Sequence, residues 1–156
     1  MLVLQEEEKM LADSAQELLA SISPVSAQRA LRDASSTLGF DPDVWRQIIE
    51  MGWTAIPFAE EVGGLAFSYK GLTAIFEQIG RNLSATPLLS QVALVGTALE
   101  QFGNPACQAQ WLPELIAGTK RFALAIEERM FHDLSQVHCA YAETSDTVVL
   151  EGHKAV

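Results

Sequence analysis

From Leu4 to Gly118 the apolar residues recur mostly at steps of three and four, and beyond Gly118 they recur in short runs and at steps of two. That change of period at one glycine constrains the fold more than any other feature. Steps of three and four line one face of a helix, and alternation lines one face of a strand. The chain is therefore read as mainly α: an N-terminal helical, bundle-like domain over residues 1–120, then the opening strands of a truncated β-domain over residues 121–156.

The helices follow from local signals. Leu4, Leu11, Ala15, Leu18 and Ile22 form a stripe, Glu6 to Glu8 suit a solvated first turn, and Pro24 closes the helix. A short helix around Gln28 to Ala34 follows. Asp41 before Pro42 is an N-cap signal, with Phe40 placed to staple onto Trp45. Trp45, Ile48 and Ile49 face inward, and Gly52 ends that helix. From Trp53 to Phe67 the period disappears, and Pro57, Gly63 and Gly64 mark an irregular loop. Leu72, Ile75, Phe76 and Ile79 make the next stripe, closed by Gly80. Thr86-Pro87 opens a helix in which Leu88, Val92, Val95, Leu99 and Phe102 repeat at four, three, four and three. Asn104-Pro105 opens the last, with Cys107, Trp111 and Leu115 on one face and Gly118 as its stop. Arg121 to Ile126 then suits a buried strand. Val137 to Glu143 alternates, and Thr147 to Leu150 reads as a second strand after a Ser145-Asp146 turn. One hairpin and a strand are marginally stable, so the β-region reads as incomplete.

Composition narrows the function classes. With 49% hydrophobic and 19% charged residues, the chain is globular. The net charge of −10 disfavours nucleic acid and anionic membrane surfaces. No apolar run reaches the ~18 residues of a membrane helix, so no membrane insertion is expected. Two distant cysteines, Cys107 and Cys139, exclude a disulfide framework and a CxxC metal site. The reading is a reduced, cytoplasmic chain.

Candidate chemistry is sparse. No phosphate loop, dinucleotide fingerprint, zinc helix or nucleophile elbow occurs. His132, His138 and His153 lack the cysteine or carboxylate spacing of a metal site, and read as exposed or structural. Adjacent His132 and Asp133 seldom aim at one substrate. Cys107 reads as a small core residue. Glu127-Glu128 follows the first strand, where either a site or a solvated loop is compatible with the pattern.

The order of several short motifs is more specific than any one of them. These are Gly52-Trp-Thr-Ala-Ile-Pro57, Glu61-Val-Gly-Gly64, Phe76-Glu-Gln-Ile-Gly-Arg81, Ala85-Thr-Pro87, Phe102-Gly-Asn104 and Trp111-Leu-Pro-Glu-Leu-Ile-Ala-Gly118. Ala123-Leu-Ala-Ile-Glu127 and Leu150-Glu-Gly-His-Lys154 complete the series. Together they resemble the acyl-CoA dehydrogenase family over essentially the whole chain.

The resemblance implies a flavoprotein oxidoreductase of fatty acid metabolism with FAD as cofactor. Such enzymes remove the α-proton of an acyl-CoA with a carboxylate and pass the β-hydride to flavin N5. It implies an acyl-CoA substrate, an electron-transfer acceptor, and a homo- or hetero-oligomer, dimer or tetramer. The family's carboxylate base belongs to a C-terminal helical domain, so no catalytic residue is assigned here and residues 1–156 alone are expected to be inactive. By position, Pro87, Ser90, Gln91 and Leu94 would line the acyl-chain cavity. Ala123, Ala125, Ile126 and His132 would meet the flavin. The family's Thr-Glu-Pro falls on Ile126, Glu127 and Glu128, and its Gly-Ser-Asp on Phe131, His132 and Asp133. A divergent subunit of a heteromeric dehydrogenase, a related flavin oxidase or monooxygenase, and a non-catalytic helical interaction module are the alternatives.

Overall fold

The computed structural model describes residues 4–129 and 133–155. It divides into two compact units, Met1–Phe122 and Ala123–Val156. The first is helical. Its elements are α1 (Glu6–Ile22), α2 (Val25–Asp33), α3 (Pro42–Glu50), α4 (Tyr69–Asn82), a π-helix (Leu89–Gly96), α5 (Thr97–Phe102) and α6 (Pro105–Ile116). The second holds one antiparallel hairpin, β1 (Ala140–Glu143) on β2 (Val148–Glu151), with Ala140 opposite Glu151.

The caps form as their residue types dictate. The Asp41 carboxylate accepts from Asp43 N at 2.8 Å, with Pro42 in the first turn. Phe40 meets Trp45 edge-on at 6.5 Å between ring centres. Asn104 accepts from Cys107 N at 2.9 Å. These two helices start where local chemistry puts them.

α1 packs on α4, and the core gathers Leu19, Ile48, Leu72, Ile75, Leu88, Val92 and Leu115. The aperiodic stretch after α3 also feeds it. Trp53, Ala55, Ile56 and Phe58 are buried, and the Thr54 hydroxyl donates to Ile116 O at 2.7 Å, satisfying a carbonyl at the end of α6. A turn of 3₁₀ helix, Glu60–Val62, closes on Gly63 with φ +88°, a conformation that favours glycine.

Several expectations need correcting. The most buried residues of α1 are Glu8, Ala12, Ala15 and Leu19, while Leu11, Leu18 and Ile22 of the expected stripe are partly buried and pack against the core beside Ala15. Glu8 is therefore not a solvated helix start. It is buried against Lys70 of α4, with Glu8 Oε2 and Lys70 Nζ 2.9 Å apart, and it also accepts from Gln5 N at 2.6 Å. Gly80 does not end its helix, which runs on to Asn82 and closes on Leu83 in the left-handed region. The helix after Pro87 is not one α-helix. Its i→i+5 hydrogen bonds across Leu89–Gly96 advance the side-chain phase before α5 begins. Leu88, Val92 and Val95 stay buried, but Phe102 ends up 86% exposed. On α6 the buried pair is Leu112 and Leu115, while Cys107 and Trp111 are half-buried.

The expected buried strand at 121–126 is absent. A strand needs a ladder partner, and among the described residues β1 and β2 pair only with each other. Ala123, Leu124 and Ala125 are exposed. β1 is also shorter than the alternating run, and Val137, Cys139 and Tyr141 are all exposed.

Candidate functional site

Two groups of residues carry the candidate chemistry, one in each unit. In the first unit the π-helix is the irregular element. Thr86 Oγ1 accepts from Leu88 N at 3.3 Å, and Ser90 Oγ donates to Pro87 O at 2.9 Å, so the helix start satisfies itself. Gly96 faces the Phe58 ring so closely that a Cβ there would overlap it. Close approach at Gly96 lets the widened helix lie against the buried aperiodic stretch.

Four residues of this element are candidates for contact with an apolar chain. Pro87 and Ser90 are half-buried and Leu94 is 45% exposed, so these three reach the surface. Gln91 differs from the expectation. It is completely buried, and both ends of its amide are engaged. Nε2 donates to Lys120 O at 3.0 Å, and Oε1 accepts from Phe122 N. A side chain with no exposed surface and both ends of its amide bonded within the unit is positioned as an internal fastener. In this unit Gln91 fastens the segment after α6 onto the π-helix. Trp111 supports that segment by meeting Phe122 edge-on at 5.9 Å, and the Arg121 guanidinium sits 5.8 Å from the centre of the Phe40 ring.

In the second unit Ala123 and Ala125 are exposed and Ile126 is half-buried. None of the backbone N–H groups of 123–126 pairs with another backbone group among the described residues. The segment thus holds backbone donors with no backbone partner among the described residues, and Ala123 and Ala125 are its small side chains. His132 and its neighbour Phe131 lie outside the described residues. Next along the chain Glu128 is held tightly. Its side chain is 6% exposed, with Oε1 2.9 Å from Lys154 Nζ. It accepts from His138 N at 2.6 Å and Cys139 N at 2.7 Å. The Lys154 ammonium, and then the His138 amide, bring the Glu128 carboxyl down to about 2. Such a group stays ionised at every physiological pH and is unsuited to proton transfer. Glu128 is therefore a structural anion, a role its place beside Glu127 did not reveal, because its partners lie 10 to 26 residues away.

A cavity of about 260 Å³ beside Glu128 is walled by Arg129, Gln136, His138, Cys139 and His153. Among the described residues no three His, Cys, Asp or Glu side chains are grouped to hold a metal ion. No helix among them is long and apolar enough to cross a membrane.

The helical unit, with its capped α3 and α6 and its buried Trp53–Phe58 stretch, has recognisable relatives. The family model for the acyl-CoA dehydrogenase N-terminal domain matches residues 5–119. The chain belongs to the acyl-CoA dehydrogenase family. Acyl-CoA dehydrogenase FadE27 of Mycobacterium tuberculosis is 31% identical over 91 residues, which are 58% of this chain and 24% of that protein. Acyl-CoA dehydrogenase IpdE2 of the same organism is 32% identical over 123 residues, 78% of this chain and 37% of that one. The crystal structure of the ChsE4-ChsE5 complex from Mycobacterium tuberculosis superposes with a TM-score of 0.82 at 25% identity, covering 96% of this chain and 40% of that one. The chain thus spans 24–37% of the length of these two relatives. The mainly α fold with a two-stranded sheet is that of an acyl-CoA dehydrogenase N-terminal domain running into its β-domain.

Proposed function

We propose that this chain forms the N-terminal helical domain and the opening of the β-domain of an FAD-dependent acyl-CoA dehydrogenase. The observation that carries the reading is the family match over residues 5–119. The π-helix falls inside that match, at the position proposed for the acyl chain. Bound FAD would supply the acceptor for the hydride leaving the acyl β-carbon. The residues present fit such a group through their backbone. The N–H groups of 123–126, which have no backbone partner among the described residues, would donate to it, and the small Ala123 and Ala125 would leave room for a flat ring.

In this reading Pro87, Ser90 and Leu94 meet the acyl chain and set how much of it fits. Gln91 acts behind them by holding the π-helix. Ala123, Ala125 and Ile126 contact the flavin by main chain, and His132 is placed near its phosphates by sequence position alone. No residue of the chain is given the role of base. The acyl-CoA substrate, the electron-transfer acceptor and an oligomeric assembly complete the proposal.

A second reading has its own observation. Ile126 has no side-chain donor, where the resemblance places a threonine hydroxyl, and one structural neighbour is a complex of two different chains. A subunit of this kind would lean on a partner chain for its working flavin. The deciding experiment is reconstitution of the purified intact protein with FAD. The proposal expects near-stoichiometric FAD per chain. Flavin retained only when a second, different chain is present would favour the subunit reading. No flavin under either condition would overturn both.

A further inference from the structure

We infer that Glu128 is the positioning residue that anchors the end of the 123–126 segment, the backbone that carries the proposed flavin contact. The inference rests on the FAD reading above. The Glu128 carboxylate ties distant parts of its unit together. Its side chain is 6% exposed, yet it carries three bonds, to Lys154 Nζ, His138 N and Cys139 N. A carboxylate accepting from an ammonium and two amides makes charge-assisted bonds, the strong kind. These donors come from the approach to β1 and the chain after β2, so one side chain joins three separate stretches.

Lys154 extends the fastening. Its Nζ also donates to Ile126 O at 3.1 Å, while Ala155 N donates to Glu127 O at 2.8 Å. The carbonyls of 126 and 127 and the side chain of 128 are therefore all tied down. No sheet ladder holds Ala123–Ile126 among the described residues, so this fastening sets where the segment ends. Behind it the hairpin closes tightly, because Gly152 abuts Cys139, with a Cβ there falling 2.9 Å from Sγ. Glu128 and Lys154 thus fix the backbone at the end of the 123–126 segment.

The test is FAD titration, by flavin fluorescence, of the intact wild-type protein and of Glu128→Gln and Lys154→Met. The apo Tm of each is measured alongside. Gln keeps the shape but loses the charge, and the loss of charge-assisted bonds predicts a Kd for FAD raised about tenfold or more. Lys154→Met should act in the same direction. The double variant should lose less than the sum of the two single losses, because the bond between Glu128 and Lys154 is counted in both. Should Glu128→Gln fail to fold, Lys154→Met carries the test, since it leaves both amide bonds to Glu128 in place. Stoichiometric FAD in the wild type with an unchanged Kd in the folded variants overturns this inference alone, even if the apo Tm falls. A wild-type protein that takes up no FAD overturns the flavin reading and this inference together.

Discussion

Replacing Gln91 with leucine should loosen the helical unit without changing its surface. Leucine is close in size to glutamine and suits a site with no exposure. What it removes is the amide, with its donation to Lys120 O and its acceptance from Phe122 N. The two losses are unequal. Lys120 is exposed, so its carbonyl finds water and costs little. Phe122 is half-buried, with Trp111 against its ring, so its N–H is poorly placed to do the same. An unpaired buried donor costs about 1–3 kcal/mol, and partial access to water puts this one near ~1–2 kcal/mol. For a chain of this size that corresponds to a Tm lowered by about 2–8 °C. Circular dichroism at 222 nm, heated through the transition, measures it. Gln91→Glu should be worse, because it keeps the acceptor but sets a buried charge against the Lys120 carbonyl. A Tm for Gln91→Leu within about 1 °C of the wild type would refute the fastening role.

Three further outcomes follow from the same geometry. Glu8 is held below its ordinary 4.5, first by the hydrogen bond from Lys70 and then by the Gln5 amide, so its contribution is complete above 4.5 and is lost as pH falls below that value. Glu8→Gln should therefore flatten the acid side of the stability–pH curve, and an unchanged curve by chemical denaturation would contradict this. Leu94→Trp in the intact enzyme should lower kcat/KM for long acyl-CoAs more than for short ones, and an unaltered chain-length profile would remove Leu94 from the acyl site. In hydrogen exchange the amides of β1 and β2, whose residues are exposed at every position, should exchange faster than those of α4, and equal protection would show that the hairpin has more support than its own ladder.

The parts of this fold legible in the sequence are those decided within a few residues. Asp41 before Pro42 and Asn104 before Pro105 need only their own backbone to cap, and both do so. The parts that were not legible depend on distant partners. A repeat of four, three, four and three suits an α-helix. The widened turn brings Gly96 against the Phe58 ring and Gln91 against the Lys120–Phe122 backbone, partners far along the chain that the repeat does not encode. Glu8 reads as one of three solvated acids until Lys70, 62 residues on, is placed beside it. The apolar run after Gly118 has strand composition, but a strand is a pairing, and no ladder reaches it among the described residues.

The candidate site divides in the same way. Family resemblance pointed to the element after Pro87 and to the segment at 123–126, and those positions came from motif order rather than from chemistry visible in the residues. Resemblance did not separate Gln91, which is buried and doubly bonded, from Ser90 and Leu94, which reach the surface. Nor did adjacency reveal that Glu128 is fixed by Lys154 and two amides. Burial distinguishes a side chain that holds an element from one that meets a ligand, and burial belongs to the fold.

The most direct test of the central claim is anaerobic addition of an acyl-CoA to the intact, FAD-loaded protein. The account predicts that the flavin absorbance near 450 nm bleaches and that the matching enoyl-CoA, two hydrogens lighter, is recovered by mass spectrometry, in line with a hydride passing to bound FAD. A flavin that stays oxidised across short, medium and long acyl-CoAs, with no enoyl product, would contradict it.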